Sequence, residues 1–96
     1  MASTRKVRKE LAGELAKLRG LQQSVDPSLS DVHAKALALE IRQEAERCLQ
    51  LLDQYQSSVP GRLLSSADRK CQPLRDELKR TEMLFRAASG EMGRRG

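Results

Sequence analysis

Residues 31–56 read DVHAKALALEIRQEAERCLQLLDQYQ, and this stretch decides the fold. Its apolar residues Leu37, Ile41, Ala45, Cys48, Leu52 and Tyr55 recur at intervals of four and three. With about 3.6 residues per turn, that spacing returns each side chain to one face of a helix. Leu49 and Leu51 widen the stripe toward its C-terminal end, as in a helix that packs on more than one neighbour. Ser30 or Asp31 can accept the free amide hydrogens at the helix start, and His33 is expected as a solvated residue of the first turn. Ser57-Ser58-Val59-Pro60-Gly61 ends the helix, because proline donates no amide hydrogen and glycine frees the backbone.

The same periodicity extends to both sides. Val7, Leu11, Leu15, Leu18, Leu21 and Val25 predict a first helix over 4–25, capped by Ser3 or Thr4 and closed by Asp26-Pro27. Gly13 and Gly20 weaken it by about 1 kcal/mol each relative to alanine. They either mark a marginal helix that depends on packing or, nearly aligned, let a neighbour approach closely. On the other side Ser65-x-x-Asp68 resembles a capping box, and Ala67, Cys71, Leu74, Leu78 and Phe85 predict a third helical region over 65–88. Pro73 has two readings there. It lies in the third turn and kinks the helix at a cost of roughly 3 kcal/mol, or it begins a new helix capped by Gln72, leaving residues 61–70 as a separate short one. Residues 89–96 read as a flexible basic tail. No stretch alternates with period two, and the connections are short. The expectation is a single all-α domain over 1–96, an antiparallel three-helix bundle whose third helix is kinked or split at Pro73.

Composition narrows the function. Ninety-six residues leave no room for two lobes with a cleft between them. Tyr55 and Phe85 are the only aromatic residues, so an aromatic-lined ligand pocket is not expected. His33 is the single histidine and has no cysteine at ligand spacing, so neither a metal site nor a cofactor is expected. Phosphate-binding and nucleophile-elbow motifs are missing from the sequence, and no enzyme activity is expected. Cys48 and Cys71 fall on apolar helical positions and read as small buried hydrophobes. There is neither a membrane-length apolar run nor an apolar segment behind the basic N-terminus. The expected location is the cytoplasm or the nucleus.

The net charge of +5 is unevenly distributed. Residues 1–25 hold six basic and two acidic side chains, residues 26–60 three and six, and residues 61–96 nine and five. Helices of opposite sign attract their neighbours, and acids of the second helix beside bases of the third would form a two-sign face for a protein partner. A nucleic-acid surface built on Arg5-Lys6-Val7-Arg8-Lys9, or on Arg62, Arg69, Lys70, Arg75, Lys79, Arg80 and Arg86, is the less favoured reading. No aromatic residue interleaves with those bases, and Asp68, Asp76, Glu77 and Glu82 dilute the third region. The Arg5 to Lys9 run reads equally as a nuclear localisation patch.

Leu51-Leu52-Asp53, a loop, and then Ala67-Asp68-Arg69-Lys70 resemble the BAG domain, in which a Leu-Asp pair precedes an Arg-Lys pair by about fifteen residues. The turn after Leu21-Gln22-Gln23 is similar to that of some members, and the resemblance covers residues 7–86. It implies a three-helix bundle that binds the ATPase domain of the 70-kDa heat-shock chaperone and promotes release of its nucleotide. Carried over by position, Asp53, Arg69 and Lys70 would contact the partner, and Glu44 and Glu46 are candidates for the acidic side by location. The chain departs from the family at Glu77, where a Gln is usual, and at Pro73. The alternative class is a structural subunit of a larger coiled-coil complex, such as a tethering or cytoskeletal assembly.

Overall fold

A computed structural model of the chain describes residues 4–59, 61 and 64–90, and in 64–67 the backbone alone. Three helices make up most of it: α1 (Thr4–Gln23), α2 (Asp31–Ser58) and α3 (Leu64–Ala88). Among the described residues there is no strand, and the all-α three-helix bundle stands. None of the helices is long and apolar enough to cross a membrane.

Side-chain pairs set the directions. Thr4 Oγ1 donates to the Ser58 carbonyl at 2.9 Å, while Lys17, further along α1, lies 3.7 Å from Glu44. Residue numbers rise along one helix as they fall along the other, so α1 and α2 are antiparallel. Gln56 with Asp68 and Asp53 with Arg75 give the same sense for α2 and α3. Helix α2 packs against both neighbours, whereas the backbones of α1 and α3 do not come close. Arg19 to Glu77, at 3.6 Å, links these outer two, which run parallel. The 28 residues of α2 span about 42 Å at about 1.5 Å per residue, which sets the long dimension of the 49 × 29 × 23 Å molecule.

The core follows the predicted stripes. Ile41, Cys48, Leu52 and Leu78 are fully enclosed, with Leu11, Leu18, Ala45, Leu51 and Cys71 around them. Thr81 is also buried and fills the row between Leu78 and Phe85. Val25 leaves the stripe at 51% exposed, because α1 stops at Gln23. The amides of Ser24 and Val25 there bond back three residues to Leu21 and Gln22, a tightening turn ahead of Pro27. Asp26 Oδ1 then accepts from the Ser28 amide at 2.8 Å, and Ser30 caps α2 by accepting from the His33 amide.

Three local readings are settled. Thr4 is helical, and its hydroxyl closes the C-terminal end of α2 rather than capping α1. Pro73 lies inside one continuous α3, so the region is not split in two. Its ring is exposed, so the Arg69 carbonyl that loses its amide partner lies on the solvent side, where water can serve it. A Cβ added at Gly13 or Gly20 would meet nothing within 4 Å, so neither glycine is there to admit a close neighbour. Ser3, Pro60, Arg62, the side chains of Ser65 and Ala67, and the tail from 91 lie outside the described residues.

Candidate functional site

The seam between the C-terminal half of α2 and the N-terminal half of α3 holds most of the expected partner-binding residues. It is organised by Arg75. The guanidinium reaches back from α3 to Asp53 Oδ1 at 2.7 Å and donates a second hydrogen bond to Gln56 Oε1. Gln56 in turn donates from Nε2 to Asp68 Oδ1 at 2.7 Å. Asp53, Arg75, Gln56 and Asp68 therefore form one polar chain across the seam. Arg suits the central place because its planar fork serves two acceptors at once. Asp53 stays 65% exposed while paired, so it is fixed in direction yet open to a partner.

Arg69 and Lys70 are exposed and make no ion pair among the described residues. Adjacent helical residues project about 100° apart, so the two fan away from each other. Asp68 and Arg75, seven residues apart, mark the side of α3 that faces α2. Lys70 and Glu77 share another row, and Glu77 meets Arg19 of α1. Lys70 thus leans toward α1, and Arg69 points outward between the two seams.

The acidic pair of α2 divides in the same way. Glu46 is exposed and held by Arg42 at 2.6 Å, seven residues before Asp53 on the α3 side. Glu44 is 6% exposed and lies on the α1 side, 3.7 Å from Lys17, so it does not belong to the α2–α3 face. Burial raises its pKa, and its hydrogen bond to Glu14 and the charge of Glu14 raise it further. Glu14 is lowered, chiefly by accepting that bond, with Lys17 and Arg47 adding to the effect. The interface thus disfavours the charged form of Glu44 and favours that of Glu14. Sequence reading had a signal for this. Glu44 stands in the row Leu37, Glu44, Leu51, three residues after Ile41 and four before Cys48, which is an apolar-face position.

Both cysteines are free and buried. The Cys48 thiol is pushed up to about 12, first by burial and then by the charges of Glu44 and Glu14, and burial also raises Cys71. Neither is a thiolate at neutral pH, and both serve as small core residues. Two open grooves flank Arg47 between α1 and α2, of ≈ 400 Å³ beside Gly13 and ≈ 310 Å³ beside Glu40. Their walls mix charged and amide side chains with few apolar ones, unlike an enclosed ligand pocket. Among the described residues no three His, Cys, Asp or Glu side chains gather as metal ligands. No family model, no curated protein and no solved structure matches the chain.

Proposed function

We propose that the chain is a protein-interaction bundle without catalytic activity of its own, and that it engages its partner through Asp53, Arg69 and Lys70 around the N-terminal half of α3. The observation that carries this reading is the state of those three side chains. Asp53 is exposed and aimed by Arg75, while Arg69 and Lys70 are exposed and uncommitted. A two-sign surface of this kind selects a partner with the opposite pattern and gives binding its orientation. Its specific form is a BAG-like cochaperone acting on the ATPase domain of the 70-kDa heat-shock chaperone. The binder would speed nucleotide release to the extent that it prefers the open ATPase.

A nucleotide-release assay with the chaperone ATPase domain tests this form. Wild type is expected to accelerate release, and Arg69→Ala to remove most of the acceleration while the helical signal is retained. Wild type without any acceleration rules out the cochaperone reading. A second reading, a subunit of a larger coiled-coil assembly, is favoured by a separate observation. Val25, Val32, Leu39, Met83 and Leu84 are 51%, 76%, 37%, 59% and 63% exposed, all in the half of the bundle that holds the α1–α2 turn. Clustered exposed apolar side chains mark contact surfaces.

A further inference from the structure

The fold sorts the charges that the sequence mixes. Glu77 and Glu82 are paired with Arg19 and Arg86, Asp68 accepts from Gln56, and Asp76 accepts from Gln72. Of the four acids in residues 61–90, Glu77 and Glu82 are thus neutralised by arginines, whereas Asp68 and Asp76 are held by neutral amides and keep their charge, as Asp53 is held on the α2 seam by Arg75. Arg5, Arg8, Lys9, Arg69 and Lys70 are exposed and form no ion pair among the described residues. All five stand toward the same end of the bundle, because α1 and α3 run parallel and both begin there. Neither helix carries an acid in its first turn. Glu10, the nearby acid of α1, lines the groove beside Arg47 on the α2 side.

The geometry points to a docking site for the phosphate backbone of double-stranded nucleic acid at this end, formed by Arg5, Arg8 and Lys9 of α1 with Arg69 and Lys70 of α3. The two outer helices, which flank α2 and meet through side chains such as Arg19 and Glu77, present these cations at their N-terminal ends. Several unpaired cations on a rigid support are what counterion release from a stiff, evenly charged polyanion requires. A single strand would need aromatic platforms for its bases, and Tyr55 and Phe85, the only aromatic residues of the chain, pack against the core. A lipid surface would gain from apolar side chains beside the cations, yet among the described residues the exposed large apolar ones lie in the opposite half. Phosphate contacts carry no base information, so the binding is indifferent to sequence. The site shares Arg69 and Lys70 with the cochaperone reading, which makes no use of Arg5, Arg8 or Lys9, so the α1 variant tells the failure of one from the failure of the other.

The test is fluorescence anisotropy of the full chain with a mixed-sequence DNA duplex of about 20 base pairs, between about 50 and 200 mM salt. Five phosphate contacts give an expected log–log salt slope of about −4 to −5, at about −0.9 per contact. Arg5→Ala with Arg8→Ala and Lys9→Ala should reduce the slope to about −2. As an independent variant, Arg69→Ala with Lys70→Ala should reduce it by about 2. Lys35→Ala, at the far end, should leave the slope unchanged, and circular dichroism should be the same for all four proteins. Failure to bind at the lowest salt overturns the proposal, as does an unchanged slope in both multiple variants. Tighter binding at equal salt to anionic vesicles or to poly-glutamate than to the duplex also overturns it, and assigns this end to a membrane or an acidic protein.

Discussion

Glu44 shows how a single residue can set the pH response of the fold. Its carboxyl is buried at the α1–α2 interface and faces Glu14, with Lys17 at 3.7 Å and Arg47 and Cys48 also near it. A carboxyl raised above its ordinary value near 4.5 stabilises the fold below that value, and the contribution is lost as pH rises through the folded-state pKa. Glu14 has the opposite sign. Its lowered pKa contributes above the ordinary value and is lost as pH falls through the lowered one. Replacing Glu44 by Gln keeps a hydrogen-bond donor for Glu14 and removes the buried ionisation. We expect Glu44→Gln to match wild type in chemical denaturation near pH 4 and to exceed it by about 1 kcal/mol near pH 8, the scale of one buried polar group left imperfectly satisfied. A constant difference across that range would show that Glu44 does not titrate there.

At the scale of the helix, α1 has stability in reserve. Gly13 and Gly20 lie within it, both exposed, with open space where a Cβ would stand. Gly13→Ala and Gly20→Ala should therefore each stabilise by about 0.5–1 kcal/mol, through helix propensity and a less flexible unfolded chain. Thermal melts would show the gain, and a loss at either position would mean that the glycine serves a contact made with a partner. The sequence makes this helix legible because its signals are local. Intervals of four and three locate all three helices, and Ser30 marks the start of α2. What the local pattern leaves open depends on distant residues. The continuity of α3 through Pro73 follows from the packing of Cys71 and Leu78 on either side, which outweighs one missing hydrogen bond. The pairing of Asp53 with Arg75 joins residues 22 apart and depends on how α2 and α3 align in register, which helical spacing does not determine. Glu46 lay within reach of the periodic pattern on the α3 side, as did Glu44 on the α1 side. Location along α2 groups the two, and helical phase separates them.

For the molecule as a whole, α2 is shared between two interfaces, and the two outer helices meet through side chains such as Arg19 and Glu77. The radius of gyration, 15.3 Å, exceeds the roughly 12.5 Å of a compact globule of this length. An elongated bundle buries less of its apolar surface, and among the described residues the exposed large apolar side chains are gathered at one end. Met83 and Leu84 are 59% and 63% exposed near the C-terminal end of α3, while Val32 is 76% exposed at the start of α2. Side chains so open to water add little to folding, and surface substitutions of this kind usually change stability by less than about 0.5 kcal/mol. They do matter to association, where covering them removes apolar area from water at about 25 cal/mol per Å². The substitution Met83→Ser with Leu84→Ser separates the two roles. We expect the melting midpoint to stay close to that of wild type, while sedimentation at rising concentration shows less self-association and capture of any coiled-coil partner weakens. A marked drop in the midpoint would place Met83 and Leu84 among the residues that hold the bundle together. An unchanged midpoint with unchanged association would remove the apolar end as the contact surface of the assembly reading, and leave the charged face around Arg69 as the interaction surface of the bundle.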